Sequence, residues 1–459
     1  MCRNRESNRE KTDSARMKIR QLLDKGSFME IGEEVTARLT DFYTPQEPCE
    51  SDGVVTGYGT INEKLVYIFC QDADVMGGTF GEMHGRKINR LYRMAMRAKA
   101  PIIGLLDCRG FRIEEGLDGL NQFASLYRMQ AEATEKIPQI MAVLGRCGGG
   151  MSVAANMADF VFVEKEKGDL FLNSANLIDR SFTTITNQED FTDGKMTCCE
   201  IMQAVRTLIE VLPPNTDAAP ERQICTDDLN RICKNIDDLR GDGRALLRGI
   251  SDENFFFETR REAGKDMVTG FIRLNGGLIG AAANHGCGEN SRMTAEGFDK
   301  AASFVSLCDR FHIPVLTITD TEGFDTADEQ EIYLPKAAGR MIKALACAKV
   351  PKVNLITGEI YGSAYSMMNS RGLGADYVFM WKDANVNIIN PRQAVEILYP
   401  GSDTEMLNQR TKDYRDSHSS AGALARHGYA DKIIQPEDTR KYLIGAFETF
   451  ANIYQEKSI

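Results

Sequence analysis

Apolar and polar positions recur in the same order in the two halves of this chain. Each half begins with a two-fold alternation interrupted by glycines, over Gly53 to Phe69 and over Met267 to Ala283, which predicts antiparallel strands joined by turns. Helical spacing of apolar residues follows, from Glu82 to Lys99 and from Ala295 to Phe311. The chain is therefore expected to form one set of elements and then to form it again.

Short apolar runs introduced by proline follow each predicted helix. They cover residues 101–107 and 138–145 in the first half, and 314–320 and 351–358 in the second. Runs of this length, bounded by helical patterns, predict buried parallel strands. Further strands are predicted at 159–164 and 376–381. Because strand and helix alternate, the predicted class is α/β.

The second half aligns with the first at an offset of about 213 residues. Aligned pairs are Val55 with Val268, Asp107 with Asp320, Gly149 with Gly362 and, after a slip of four residues, Asp159 with Asp376. Solenoid repeats are much shorter, at roughly 20–50 residues, so this period predicts two tandem copies of one domain. We expect a first domain over 1–250, including an interlobe segment at about 180–250, and a second over 251–459.

Composition narrows the class of protein. The 459 residues carry a net charge of −11, which argues against nucleic acid as the main partner. No apolar run approaches the roughly 18 residues of a membrane span, and Met1 to Arg20 lacks the apolar region of a secretory signal, so a cytoplasmic protein is expected. The 12 cysteines form no C-x-x-C pair and the five histidines have no metal spacing, so we expect reduced thiols and no metal.

A glycine-rich turn follows a predicted buried strand in each half, at Gly145 to Gly150 and at Gly358 to Tyr365. Glycines at a helix start expose unpaired N–H groups, which favour negative charge and form an oxyanion hole when two converge on one oxygen. One such turn alone is more often a tight strand–helix crossing, but its occurrence in both halves favours a site. A nucleotide site is disfavoured because no G-x-G-x-x-G or G-K-[ST] loop is present.

A second turn follows the earlier buried strand, at Asp107 to Gly116 and at Asp320 to Phe324. It could supply a further N–H group to the same pocket, or it could be an ordinary βα loop, and spacing does not decide between them. Backbone donors with few histidines and no metal suggest chemistry in which a thioester carbonyl becomes an enolate oxyanion.

These motifs, in this order, resemble the carboxyltransferase subunits of biotin-dependent acyl-CoA carboxylases and decarboxylases, of the propionyl-CoA carboxylase β type and the methylmalonyl-CoA or glutaconyl-CoA decarboxylase α type. The resemblance covers nearly the whole chain. It rests on Ile19 to Phe28, Asp52 to Gly59, Gln71-Asp72, Gly77-Gly78, Arg112 to Gly116, Cys147 to Gly150, Tyr361 to Tyr365, Ala394 to Ile397 and Gly428 to Arg440.

The resemblance implies two tandem crotonase-like domains, with the acyl-CoA bound by the first and biotin by the second. It implies that the site forms between opposite lobes of two subunits, usually in a trimer of dimers, and that biotin accepts the proton. The thioester oxyanion would lie on the backbone of Gly149 and Gly150, and the biotin ureido oxygen on Ser363 and Ala364. The further binding residues it implies are Cys108, Arg109, Gly110, Phe111, Arg112, Gly148, Gly323, Phe324, Tyr361, Gly362 and Ser366.

Partners follow from what the sequence lacks. It contains no biotin-accepting M-K-M tripeptide, so biotin would be carried by a separate biotin carboxyl carrier protein. A biotin carboxylase subunit or a membrane decarboxylase subunit would complete the complex. The resemblance identifies neither the acyl group nor the direction of transfer.

The chain departs from the family pattern around its predicted turns. Where the family reads S-G-G-A-R, Arg109 and Phe111 replace a glycine and an alanine, and Glu322 replaces a proline. Arg109 would either pair with a free carboxylate of the acyl group or pair structurally with Glu322. Two rival functions stay open. One is a biotin-independent crotonase-like hydratase or decarboxylase using Glu114 or Glu115, and the other is a catalytically decayed acyl-CoA-binding scaffold.

Overall fold

The computed structural model describes residues 14–41, 50–173 and 192–451. The chain forms two compact units, Met1–Ala218 and Ala219–Ile459. The boundary predicted at residue 250 differs from the division between the two units, which falls after Ala218. Residues 219–250 belong to the second unit because their last helix packs against its sheet. The part of the expected interlobe segment at 180–191 lies outside the described residues.

The first unit is built on a mixed sheet of eight strands. They are β1 (Met29–Glu30), β2 (Val54–Ile61), β3 (Lys64–Gln71), β4 (Ile102–Cys108), β5 (Gln139–Gly148), β6 (Phe160–Glu164), β7 (Asp169–Phe171) and β8 (Gly194–Met196). Their spatial order is β1-β2-β3-β4-β5-β6-β8, with β7 paired to the end of β5. The strands β1 to β3 are antiparallel neighbours, and the pairs from β3 to β8 are parallel.

The second unit repeats this sheet. Its strands are β9 (Phe256–Thr259), β10 (Met267–Leu274), β11 (Gly277–Asn284), β12 (Val315–Thr321), β13 (Lys352–Tyr361), β14 (Tyr377–Trp381), β15 (Asn385–Asn387) and β16 (Lys432–Ile434). The order is β16-β14-β13-β12-β11-β10-β9, with β15 paired to β13. Written from the opposite edge, it is the same order as in the first unit. The predicted α/β class with two similar halves is therefore confirmed.

Helices cover both sheets. In the first unit they are α1 (residues 14–22), α2 (Glu82–Ala98), α3 (Gly116–Thr134), α4 (Gly150–Asn156) and α5 (Cys198–Val211). In the second they are α6 (Gly243–Ile250), α7 (Ala295–Arg310), α8 (Asp328–Cys347), α9 (Ala364–Met367), α10 (Pro391–Leu398), α11 (Thr404–Tyr414), α12 (Ala421–Arg426) and α13 (Thr439–Glu448). Within the described ranges, no helix combines the length and apolarity needed to cross a membrane.

The central strands are buried on both faces, as the short apolar runs predict. In β4 the side chains of Ile102, Ile103, Leu105 and Leu106 are at most 1% exposed. The strands β5 and β13 each run three residues beyond their predicted ends. They do so because the short strands β7 and β15 supply new partners there. Each of the two strands therefore ends at one of the predicted glycine turns.

Candidate active site

The first glycine turn connects β5 to α4. Gly149 has φ 60° and ψ −134°, a conformation that is essentially restricted to glycine. Its amide donates to the carbonyl of Phe171 at 2.9 Å, which ties the turn to β7. Gly150 then begins the helix. The consecutive N–H groups of Gly149 and Gly150 therefore have different roles.

The second unit has the same construction. Gly362 has φ 62°, and its amide donates to the carbonyl of Asn387 on β15 at 2.8 Å. Ser363 follows as the residue before α9, and Ala364 is the first residue of that helix. The repeat therefore preserves the hydrogen bond that anchors each turn as well as the glycine that the turn requires.

This anchoring changes which amide is available to a ligand. The predicted donors included the Gly149 N–H, but that group is occupied by Phe171. The N–H groups of Gly150 and Ser363 have no acceptor among the residues that the structure describes. The helices behind them have seven and four residues, so their dipoles are small. Individual amides, more than a helix terminus, are the donors that these turns offer.

The sequence difference between Gly150 and Ser363 has a local cause. A Cβ at Gly150 would lie 2.6 Å from the hydroxyl of Tyr127 and 3.0 Å from the ring of Phe123. That hydroxyl also donates to the Gly150 carbonyl at 2.9 Å. Ser363 is exposed and has φ −68°, so a side chain fits there without strain. The substitution therefore keeps the N–H group in position.

The second predicted turn lies beside the first in each unit. Cys108 of β4 is the register partner of Cys147 of β5, and a Cβ at Gly148 would lie 3.3 Å from the carbonyl oxygen of Arg109. Gly110 has φ 123°, and the nearest atom to a Cβ placed on it would be the Gly148 carbonyl oxygen at 4.0 Å. The two turns therefore lie side by side in the first unit.

The equivalent turn of the second unit is bound more tightly. Gly323 has φ 105°, and the nearest atom to a Cβ placed on it would be the Tyr361 carbonyl oxygen at 3.8 Å. Its amide donates to the hydroxyl of Thr321 at 3.2 Å, so this N–H group is not free. Phe324 lies against Phe298 of α7, with ring centroids 6.2 Å apart. The hydroxyl of Ser366 donates to the Ser363 carbonyl at 2.7 Å.

Arg109 and Phe111, the two residues of the Asp107–Gly116 turn that depart from the family pattern, lie in different environments. Phe111 packs against the hydrophobic core and covers Gly119 of α3, where a Cβ would lie only 2.6 Å from its ring. Arg109 is exposed, and its side chain lies along Gly77, with its Cδ 3.2 Å from where a Cβ of that glycine would be. No ion pair of Arg109 occurs within residues 14–41, 50–173 and 192–451.

Arg112 is committed to a buried cluster. Its side chain is 2% exposed and its Nη1 lies 2.6 Å from carboxylate oxygens of both Asp52 and Glu115. Glu115 also accepts the backbone N–H of Glu82 at the start of α2. Of the two carboxylates considered for the biotin-independent function, Glu115 is therefore held in structural contacts, and Glu114 is exposed.

Acidic groups border the turn of the second unit. The Tyr361 hydroxyl donates to the carboxylate of Glu359, and burial together with that carboxylate and the charge of Glu322 raises the pKa of Tyr361 to about 12. Asp320, at the end of β12, accepts the Glu359 amide at 3.0 Å and pairs with Arg240 at 2.8 Å. The tyrosine is therefore a neutral hydrogen-bond donor near neutral pH.

A buried set of side chains that no sequence pattern predicts lies behind the turn at Asp107 to Gly116. Gln71, at the end of β3, accepts the Asp107 amide at 3.2 Å and faces His84 of α2 at 3.2 Å. The ring of His84 reaches the backbone carbonyl of Asp52 at 3.0 Å. Burial, with the charge of Arg112 next in size, holds the pKa of His84 well below its usual value. In the sequence, Gln71 is distinguished only as part of the Gln71-Asp72 motif shared with the family.

No group of three or more His, Cys, Asp or Glu side chains suited to a metal ion occurs in the described part of the chain. Charged side chains such as Arg109 and Glu359 lie near the turns, and the donors that the turns themselves offer are backbone N–H groups. Such groups can stabilise an oxygen that gains negative charge during a reaction.

Comparison with known proteins gives the family. The carboxyl transferase domain model matches residues 6–457. The propionyl-CoA carboxylase beta chain of Roseobacter denitrificans is 35% identical over 462 residues, covering 96% of this chain and 91% of the relative. The methylmalonyl-CoA decarboxylase subunit alpha of Propionigenium modestum is 32% identical, covering 95% and 89%.

A solved structure supports the same assignment. Transcarboxylase 12S, described as a hexamer with methylmalonyl-coenzyme A and methylmalonic acid bound, superposes with a TM-score of 0.90 at 27% identity, covering 97% of this chain and 92% of that one. The two halves thus have the expected crotonase-like fold. The chain belongs to the carboxyl transferase domain family, to which the carboxyltransferase subunits of biotin-dependent acyl-CoA carboxylases and decarboxylases also belong.

Proposed function

We propose that this protein moves a carboxyl group between carboxybiotin and an acyl-CoA. The observation that carries the proposal is the duplicated turn, in which one glycine amide is anchored and the next N–H group, of Gly150 or Ser363, has no acceptor among the described residues. Transfer of a carboxyl group to or from the α-carbon of a thioester places negative charge on the thioester oxygen. A backbone N–H fixed in advance stabilises that charge without reorganisation.

In the first unit, the Gly150 amide would donate to the thioester oxygen. Gly149 would act by geometry, since its hydrogen bond to Phe171 determines where the next N–H group points. Tyr127 supports the same position from behind, because its hydroxyl holds the Gly150 carbonyl. The neighbouring turn at Gly110 lies beside Gly148. No side-chain base is assigned, because Glu115 is engaged with Arg112.

In the second unit, the N–H of Ser363, which has no acceptor among the described residues, suits an oxygen such as that of a urea. Biotin, when bound, would supply the urea nitrogen that carries the carboxyl group and takes up the proton. The Ser363 and Ala364 amides would hold the ureido oxygen, and Ser366 would stay near by through its bond to the Ser363 carbonyl. The described residues thus fit a polar, uncharged acceptor in this turn.

A finer part of the proposal concerns Arg109. It stands in the turn that touches Gly148, is exposed, and forms no ion pair with a described residue. A guanidinium in that position is suited to a carboxylate of the acyl group. We therefore propose acyl-CoA substrates that carry a free carboxylate, as in the malonyl, methylmalonyl or glutaconyl series.

The proposed partners are a biotin carboxyl carrier protein and either a biotin carboxylase subunit or a membrane decarboxylase subunit, with the chain itself as a homo-oligomer. Support comes from the relatives, whose names describe subunits and a hexamer. Mixing the purified chain with a biotinylated carrier domain and following carboxyl transfer would test this arrangement. Equal transfer with an unbiotinylated carrier would contradict it.

The decisive experiment is decarboxylation of malonyl-CoA, methylmalonyl-CoA and glutaconyl-CoA by the purified chain, with and without free biotin. We expect turnover that depends on biotin. Turnover that is equal without biotin would replace the proposal by the biotin-independent reaction. Tight binding of the CoA esters without turnover, even with a biotinylated carrier, would replace it by the scaffold function.

A further inference from the structure

We infer that Gln71 is a positioning residue for the turn at Asp107 to Gly116, and that the neutral state of His84 fixes the orientation of the Gln71 side-chain amide that holds this turn. The inference rests on the proposed function, because the turn positioned in this way is the one that borders Gly148 to Gly150. It concerns residues that do not touch the substrate. Their effect passes through the backbone of Asp107.

The first step is the place where two strands separate. The parallel pairing of β3 with β4 reaches Cys70 and Leu105, and the pairing of β4 with β5 shifts register between Leu106 and Cys108. Asp107 lies inside that irregularity. The Gln71 side-chain oxygen accepts its amide at 3.2 Å, in place of a strand neighbour. The Gln71 side chain thus extends the hydrogen bonding between β3 and β4 as far as Asp107, where the turn begins.

The second step is the orientation of the Gln71 amide. The backbone carbonyl of Asp52 can only accept, so the His84 Nδ1, 3.0 Å away, carries the proton. In the neutral ring, Nε2 is then an acceptor, and the Gln71 Nε2 group donates to it at 3.2 Å. This leaves the Gln71 oxygen facing the Asp107 amide, which is the orientation that holds the turn.

The third step is what a proton on His84 would do. Both ring nitrogens would then donate, so the Gln71 oxygen would have to turn toward the ring and its NH2 group toward the Asp107 N–H. Two donors would face one another and the turn would lose its anchor. The ring is fully buried, and the positive charges of Arg112 and Lys87 disfavour a second positive charge on it. The Asp52 carboxylate accepts the backbone N–H of His84 and no ring N–H, so the neutral ring is favoured.

The second unit lacks this device. Asn284 is the counterpart of Gln71, and its oxygen accepts the Asp320 amide at 3.2 Å. Its NH2 group is buried with no partner in the described part of the chain, because Gly297 stands where the first unit has His84. Only in the first unit, therefore, do both the oxygen and the NH2 group of this side-chain amide have hydrogen-bond partners among the described residues.

The test compares three variants of the full chain in the biotin-dependent decarboxylation assay. Gln71→Met removes both hydrogen bonds at nearly constant volume, and we expect kcat to fall roughly tenfold with little change in KM, less than the loss of a direct donor. Gln139→Met is the matched control. It replaces another fully buried glutamine, at the far end of β5, that donates to the Gln130 carbonyl at 3.0 Å.

Gln71→Glu gives a readout that a purely structural role would not give. A carboxyl group satisfies both the Asp107 amide and the His84 Nε2 only while one proton, in addition to the proton on Nδ1, is shared between the carboxyl group and Nε2. The ratio of the variant's kcat to that of the unchanged chain should therefore fall as pH rises from about 6 to 9. A constant ratio, or an unchanged kcat in a folded Gln71→Met, would overturn the inference.

A second measurement separates this inference from the proposed function. Hydrogen exchange at the Asp107 amide needs no substrate. We expect its protection to be lost in Gln71→Met and kept in Gln139→Met, even if the unchanged chain proves to have no biotin-dependent turnover. Equal protection of that amide in both variants would overturn the positioning role by itself.

Discussion

The amide of Gly149 donates to the carbonyl of Phe171 at 2.9 Å, and this bond makes the Gly150 amide the first available donor of the turn. The same relationship exists between Gly362 and Asn387 in the other unit. A donor aimed in this way depends on the backbone of the preceding glycine. The turns should therefore be sensitive to changes of backbone conformation that add no steric contact.

Gly149→Ala tests that dependence. Gly149 has φ 60° and ψ −134°, with no atom within 4 Å of an added Cβ, so the substitution introduces strain of about 1–3 kcal/mol without crowding. We expect kcat to fall at least about tenfold as the Gly150 N–H moves. Gly116→Ala is a matched control, since Gly116 has φ 57°, ψ −135° and the same open surroundings. Equal kcat in the two variants would contradict the assignment, whatever their unfolding temperatures.

Ser363→Pro tests the donor of the second unit directly. The residue has φ −68°, which proline adopts, so the substitution removes the N–H group with little conformational change. We expect carboxyl transfer to slow by about 100-fold, the usual effect of losing one oxyanion donor. Ser363→Gly keeps the N–H group and should stay close to the original rate. If the proline variant is folded and fully active, the Ser363 amide is not a donor in the reaction.

Much of this fold is readable from the sequence because its strongest signals are local. The proline-led apolar runs predicted the buried strands that became β4, β5, β12 and β13, and the glycines of the repeat located both turns. The slip of four residues is also accounted for. It falls between Gly362 and Asp376, where α9 and an added turn replace the longer α4.

The rest depends on contacts between distant residues. The strands β7 and β15 have three residues each and no apolar pattern, so the acceptors of the Gly149 and Gly362 amides could not be foreseen. Arg112 was predicted to bind substrate, yet its side chain is buried against Asp52, 60 residues earlier in the chain. Sequence spacing does not predict an ion pair between residues so far apart, because neither residue belongs to a repeating pattern that includes the other.

Arg109→Ala tests whether the Arg109 side chain binds a carboxylate of the acyl group. Methylmalonyl-CoA and propionyl-CoA differ by one carboxylate, so binding of the two esters isolates that group. Loss of a charge-assisted hydrogen bond should weaken methylmalonyl-CoA about tenfold and leave propionyl-CoA nearly unchanged. Arg109→Lys keeps the charge without the planar pair of donors and should fall in between. If calorimetry shows that the affinity for both esters falls equally, Arg109 does not bind the carboxylate.

Lys87 and Lys300 are equivalent buried lysines, one in each unit. Lys87 donates to the carbonyls of Ser51 and Val54 at 2.9 and 2.5 Å, and Lys300 donates to those of Ala263 and Met267 at 2.9 and 2.8 Å. Burial is the largest effect on both and lowers each pKa from 10.5 to about 8. Between those two values the unfolded chain binds more protons than the folded chain, so each lysine makes the free energy of unfolding rise with pH.

Lys87→Met should remove that contribution from the first unit. The difference in free energy of unfolding between the unchanged chain and the variant should increase by about 1 kcal/mol per pH unit from pH 8 toward 10. Other groups that titrate in this range are common to both proteins and cancel in the difference. Lys300→Met should show the same slope, since its contacts repeat those of Lys87. Urea unfolding curves at several pH values measure the difference. A difference that stays constant with pH would mean that Lys87 keeps its ordinary pKa in the folded chain.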